Sequence, residues 1–187
     1  MADLVELHRQ ALAAVRPIVA GVASDQLGAP TPCEEWDVAA LLNHIVSGNL
    51  WAAELVAGAT IADVGTRLDG DVLGGDPIGA YDASSSAADA AFSAPGALEA
   101  PCAVSYGPVP GSVYAGHRFA DLVIHGWDLA AATGQDTTID PALVEACWGV
   151  VEPELAMLQG SGMFGTASDA GPSADRQAQL LAALGRG

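Results

Sequence analysis

The stretch His117–Ala130 reads HRFADLVIHGWDLA and sets His117, Asp121, His125 and Asp128 among 14 otherwise mostly apolar residues. Steps of four put His117, Asp121 and His125 in one row of a helix, and Asp128, three further on, stays near it. Leu122, Val123, Ile124, Trp127 and Leu129 spread apolar side chains around the same helix. The row is therefore partly buried, and buried carboxylates and imidazoles need partners. Three readings compete. They are a salt-bridge or hydrogen-bond ladder within the helix or to Arg118, a metal site that recruits a ligand from another helix, and acid–base chemistry without metal.

Outward from this stretch the chain reads as helices. Leu4, Leu7, Ala11, Leu12, Val15, Ile18, Val19 and Val22 recur at helical spacing, which predicts an amphipathic helix from residue 3 to about 24, bent or split at Pro17. Asp37 is the expected cap of a second helix over VAALLNHIVSGNLWAAELVAG, with Gly58 as its stop. Residues 59–76, rich in Gly and Asp, read as a long connection or lid. A third helix follows Asp76-Pro77 to about Ser93. The segment from Cys102 to Tyr106, a GPVPG turn and a further apolar piece suggest a small hairpin or irregular arm. The helical period returns from about Ser112 to Ala132, closed by Gly134. Asp140-Pro141 opens a helix to about residue 158, with a bend at Pro153, and ADRQAQLLAALG makes a short C-terminal helix. The expected fold class is all-α, a helix bundle with a small arm, and residues 1–187 read as one domain.

Composition narrows the function classes. Six basic against 23 acidic residues give a formal net charge of −17, and no lysine is present. A phosphate backbone or an anionic leaflet would be repelled, which argues against nucleic-acid and membrane-surface roles. The charge serves solubility, and it favours attraction of a cation. Three widely spaced cysteines (Cys33, Cys102 and Cys147) with no CxxC indicate neither a disulfide scaffold nor a zinc knuckle. MADLVELHRQ has no continuous apolar core, and no apolar run is long enough for a membrane span, so a reduced cytoplasm is the expected location. Glycine spacing in GNLWAAELVAG fits neither a P-loop nor a dinucleotide fingerprint.

His44 in LLNHIVSGNLW is the candidate partner from another helix. Alone it reads as a core or boundary histidine, but with Asp121 and His125 it completes a two-His, one-carboxylate set. Such a set suits zinc or another divalent first-row ion and leaves positions open for water or substrate. His8, near the start of its helix, is expected to be exposed. Cys33 precedes His44 by about 16 Å of continuous helical path, so it reads as structural unless the loop folds back. Trp36 and Trp51 are expected to pack the base and side of the bundle.

PTPCEEWDVAALLNHIVSGNLW, LGGDPIGAYDASSSAADAAFSAPGALE and FADLVIHGWDLAAATGQ, in that order, resemble the actinobacterial metal-binding proteins related to the N-terminal domain of mycothiol-dependent maleylpyruvate isomerase, within the DinB-like superfamily. The similarity runs from about residue 3 to the C-terminal LLAALGR. It implies a four-helix bundle with one divalent ion, Zn2+ foremost and Ni2+ or another first-row ion as alternatives, held by His44, Asp121 and His125. The isomerase carries glutamate where this chain has Asp121, whose shorter arm must sit closer to the metal or bind through water. The resemblance further implies a thiol such as mycothiol as cosubstrate, activated by the metal for transferase or isomerase chemistry on a small electrophile. His117 is then a candidate acid–base group, fourth ligand or support. Arg118, with Arg67 and Arg176, is the candidate for holding an anionic thiol. Asp128 is a candidate to hold a ligand histidine's distal nitrogen. A hydrolase using bound water, a non-catalytic metal- or small-molecule-binding bundle, and a purely structural bundle remain the alternatives. The chain is expected to act as a monomer or homodimer.

Overall fold

The computed structural model of the chain describes residues 3–34, 36–160, 166–171 and 173–186. Helix α1 spans Leu4–Ala20 and starts at Asp3, whose carboxylate accepts from the Val5 and Glu6 N–H groups. It runs through Pro17 and ends at Ala20, short of the expected residue 24, where Gly21 is the C-cap and donates to the Pro17 carbonyl (3.0 Å). Helix α2 spans Val38–Val56 and is capped by Asp37 as expected. Helix α3, Ile61–Val64, is a single turn capped by Thr60 within the stretch expected to be an irregular connection. The rest of that connection is tied down by Asn43, which donates to the Gly70 carbonyl (2.9 Å) and accepts from the Val72 N–H (2.8 Å).

Helix α4 spans Pro77–Phe92, with Asp76 as cap and Pro77 in its first turn. Strands β1, Pro101–Val104, and β2, Gly107–Pro110, pair antiparallel from Pro101↔Pro110 to Val104↔Gly107. The GPVP expected as a turn is thus a strand. The reversal falls instead at Ser105-Tyr106, where Gly107 takes a φ of +117° that favours glycine. Helix α5 spans Gly111–Thr133 and closes on Gly134 at a φ of +68°. Helix α6, Pro141–Val151, stops before Pro153. A 3-10 turn, Glu152–Glu154, and helix α7, Leu155–Gly160, replace the single longer helix expected. Helix α8, Arg176–Ala183, is capped by Asp175.

Helices α1 and α2 each pack against both α4 and α5, which makes the four-helix bundle, and α6 and α8 lean on its side. The apolar faces meet in a main core around Leu42, Ile45, Phe119, Leu122 and Leu129, all buried. A second cluster, with Leu55, Phe92, Cys102 and Tyr114, roofs the end that carries the hairpin. Among the described residues no helix is long and apolar enough to cross a membrane.

Candidate metal centre

Antiparallel α2 and α5 present their polar residues at one level. His44 is set among Leu41, Leu42, Ile45 and Val46, whose burial in the core fixes the face its ring emerges from. On α5 the buried residues Leu122, Ile124 and Leu129 fix Asp121 and His125 in the same way. His44 Nε2 lies 3.3 Å from Asp121 Oδ1, and His125 Nε2 lies 3.5 Å from the same oxygen. One donor atom from each of the three residues falls within 4.8 Å of the others. Donors on a tetrahedral ion at about 2.05 Å stand about 3.3 Å apart, so this spacing fits a divalent first-row ion with only small adjustments.

In the metal-free protein the surrounding charges favour an ionised Asp121 beside a protonated His125, whose Nε2 proton a bound ion would displace. Burial works against the Asp121 carboxylate. The Arg118 guanidinium, His125 and His44 outweigh that and hold it well below the usual carboxylate range. Burial likewise works against the charged form of His125. The Asp121 charge, then hydrogen bonding with Asp128 and Cys33, reverse this and push it up to about 10. Asp128 Oδ2 accepts from His125 Nδ1 at 2.9 Å, which turns Nε2 toward Asp121. Asp128 therefore sits where a residue that orients a ligand histidine belongs.

Arg118 is buried and donates to Asp121 Oδ2 (2.8 Å) and Asn49 Oδ1 (3.4 Å). Its guanidinium rests over Gly48, where any Cβ would collide with it. That is the setting of a residue that anchors a carboxylate. Among the described residues a second possible donor group is Cys33, His125 and Asp128, and His117 belongs to neither group. It forms a separate chain, accepting from Tyr106 at 2.6 Å and donating to Glu154 Oε2 at 2.8 Å. Arg67 bonds Glu54 at 3.1 Å and Arg176 bonds Glu145 at 2.9 Å, both on the exposed surface.

Three expectations are corrected. Cys33 is not remote. Main-chain bonds from Val38 to Ala29 and from Ala39 to Leu27 fold the loop back over the start of α2. Its Sγ reaches 3.3 Å from Asp128 Oδ2 and 3.8 Å from His125 Nδ1. His8 is fully buried rather than exposed, because it stands four residues before Leu12 on the apolar stripe of α1, edge-on to Phe92 with centroids 4.9 Å apart. Trp36 packs closer to the chemistry than the base of a bundle, with its ring 4.5 Å from His44 and 5.6 Å from His125. Arg186, which no spacing singled out, donates to both oxygens of Asp128 (3.1 and 2.9 Å) and to Cys33 Sγ (3.1 Å).

Residues 8–130 match the family described as the mycothiol maleylpyruvate isomerase N-terminal domain. The chain belongs to this family. Uncharacterized proteins from two strains of Mycobacterium tuberculosis are 40% identical to it over 145 residues, 75% of this chain and 73% of theirs. Two solved structures, of mycothiol-dependent maleylpyruvate isomerase and of a histidine-to-alanine mutant, superpose with TM-scores of 0.62 and 0.64 at 16% and 14% identity. The likeness covers 87% of this chain and 72% of each of those chains. It shows the fold, an all-α DinB-like bundle with a small hairpin and a short C-terminal helix. Within this isomerase-domain family the candidate ligand cluster gives the bundle a potential for metal binding.

Proposed function

We propose that the chain binds one divalent ion, zinc foremost, through His44, Asp121 and His125, and uses it with mycothiol or a similar thiol to convert a small electrophile. The observation that carries this reading is the convergence of both imidazole Nε2 atoms on Asp121 Oδ1 at 3.3 and 3.5 Å. A bound ion supplies Lewis acidity, which lowers the pKa of a water or thiol beside it. The surrounding residues do the rest. Arg118 keeps Asp121 ionised and aimed, while Asp128, held by Arg186, keeps His125 turned toward the centre. Trp36 covers His44 and His125 and keeps bulk water from that side. His117, one turn from Asp121, is the candidate acid–base group, and Glu154 holds its Nε2 in place.

With Arg118 and Asp121 already paired, an anionic thiol would meet little free positive charge from the chain. Recognition then rests on the metal and on uncharged groups. The chain acts in this reading as one unit, residues 1–187, as a monomer or homodimer in the cytoplasm, where its free Cys33, Cys102 and Cys147 stay reduced. A polar network without metal is the competing reading, because the same three side chains and Arg118 already bond one another.

Elemental analysis of wild type beside His44→Ala and His125→Ala separates these. One equivalent of metal in wild type, lost in both folded variants, supports the site. Negligible metal in all three, after growth with sufficient metal, overturns it. Turnover of an electrophile only when mycothiol is added supports the thiol chemistry. Turnover without thiol points instead to a hydrolase, and stoichiometric metal without any turnover to a binding protein.

A further inference from the structure

Two turns along each helix from the candidate ligands lies a second feature. Seven residues past His44 on α2 is Trp51, and seven before Asp121 on α5 is Tyr114, each about 10 Å along the axis. Both line a cavity of about 340 Å3, together with Leu55, Ile61, Val104 and Tyr106. Its two rims are α3, which carries Ile61, and the β1–β2 reversal, which carries Tyr106. These two side chains are among the few large apolar ones left exposed, at 40% and 58%. The volume is within the range of small-molecule sites, and the two exposed apolar side chains are contiguous with the apolar lining rather than scattered.

The lining has a chemical character. Aromatic residues make up only 5% of the chain, yet Trp51, Tyr106 and Tyr114 all face this one cavity. Rings of this kind favour edge and offset contacts with another ring. No basic side chain lines it among the described residues, and Glu154 stands behind Tyr106 and His117. An anion is disfavoured there.

One polar group at the rim has a fixed sense. The Glu154 carboxylate only accepts, so His117 Nε2 donates to it, and the neutral ring presents a lone pair at Nδ1. The Tyr106 hydroxyl donates its hydrogen to that lone pair, at 2.6 Å. What the Tyr106 oxygen has left for a ligand is its own lone pairs, which call for a donor. Burial and then the Glu154 charge raise the Tyr106 pKa, so the hydroxyl keeps its proton and this sense.

The geometry points to a second ligand site in this cavity, taking a small uncharged aromatic molecule whose ring lies among Trp51, Tyr106 and Tyr114 and whose hydroxyl donates to Tyr106 Oη. The site does not depend on a metal ion. Glu154 and His117 act in it as positioning residues, by fixing which way the Tyr106 hydroxyl turns.

The test is a 1H–15N titration of the full chain with p-cresol, 4-methylanisole and 4-methylbenzoate, followed at the Trp51 indole and the amides of residues 104–106. p-Cresol is expected to shift these signals saturably, 4-methylanisole to bind about fivefold more weakly or worse for want of one hydrogen bond, and 4-methylbenzoate not to bind. In Tyr106→Phe, exposed enough to leave the fold intact, p-cresol and 4-methylanisole become equal, while metal content stays that of wild type. Trp51→Leu weakens both. The site is overturned by 4-methylbenzoate binding as well as p-cresol, by the cresol–anisole difference surviving in Tyr106→Phe, or by no saturable shift at these residues up to the solubility limit of p-cresol. Metal content is measured on the same samples, so failure here is distinct from failure of the metal centre.

Discussion

His125 Nδ1 and Asp128 Oδ2 stand 2.9 Å apart across less than one turn of α5, and this bond fixes which imidazole nitrogen faces Asp121. Both partners are touched from outside the helix as well, Asp128 by Arg186 and the Cys33 thiol, and His125 Nδ1 by Cys33 Sγ at 3.8 Å. The candidate centre therefore also depends on side chains outside the His44–Asp121–His125 set, and Cys33 and Asp128 form a second possible donor group with His125.

Asp128→Asn tests that dependence. The amide keeps the shape but loses the charge that orients His125 and pairs Arg186. Divalent-metal affinity is expected to fall about 10- to 100-fold, measured by competition with a chromophoric chelator. Breaking a buried charge pair is also expected to cost about 3 kcal/mol or more in urea unfolding. Unchanged affinity would mean that His125 needs no such anchor.

Arg118→Met removes the buried cation that keeps Asp121 ionised. The metal-free protein is expected to lose about 3 kcal/mol, because a carboxylate is left without its counter-charge. A bound divalent ion replaces that charge, so the loss shrinks when zinc is added. Urea melts with and without zinc check this, and an equal loss in both conditions would separate Arg118 from the metal centre.

Gly48→Ala acts on the same pair from α2. The new Cβ meets the Arg118 guanidinium, which is pinned by Asp121 and Asn49 and has little room to retreat. The helix itself would gain up to about 1 kcal/mol from alanine. The expected result is nonetheless a net destabilisation and weaker metal binding. A rise in stability with unchanged binding would show that Arg118 yields freely.

His8 predicts a pH dependence. Burial first, then Arg118, lowers its pKa from 6.5 to about 4, although Asp89 pulls the other way. Neither ring nitrogen has a hydrogen-bond partner among the described residues. Between these values the unfolded chain binds the proton and the folded one does not, so stability falls as pH falls. The His8 contribution is complete above pH 6.5 and is lost down to about pH 4, up to about 3 kcal/mol in all. His8→Leu is expected to flatten that limb of the stability–pH curve measured by urea unfolding.

Much of the fold was legible locally. Caps at Asp37, Asp76 and Asp140 and the stops at Gly58 and Gly134 are read from one or two residues, since helix ends are satisfied by their immediate neighbours. The hairpin's exact reversal was not. GPVPG has turn composition, but pairing with Pro101–Val104 and the docking of Gly111 under the Ala97 carbonyl set the register. The burial of His8 is legible in the period of α1, four residues before Leu12, although its place near the helix start points to exposure.

The sequence by itself determined the polar row of α5, the place of His44 on α2, and the helices that carry them. These follow from hydrophobic periodicity, which acts over a few residues and needs no knowledge of the rest of the chain. Only the tertiary structure decided the surroundings. Cys33 reaches Asp128 across 95 residues, Arg186 reaches Cys33 across 153, and Glu154 reaches His117 across 37. Such contacts depend on how a loop folds back and how a C-terminal helix docks, and those are fixed by the packing of the whole core, which no local spacing records.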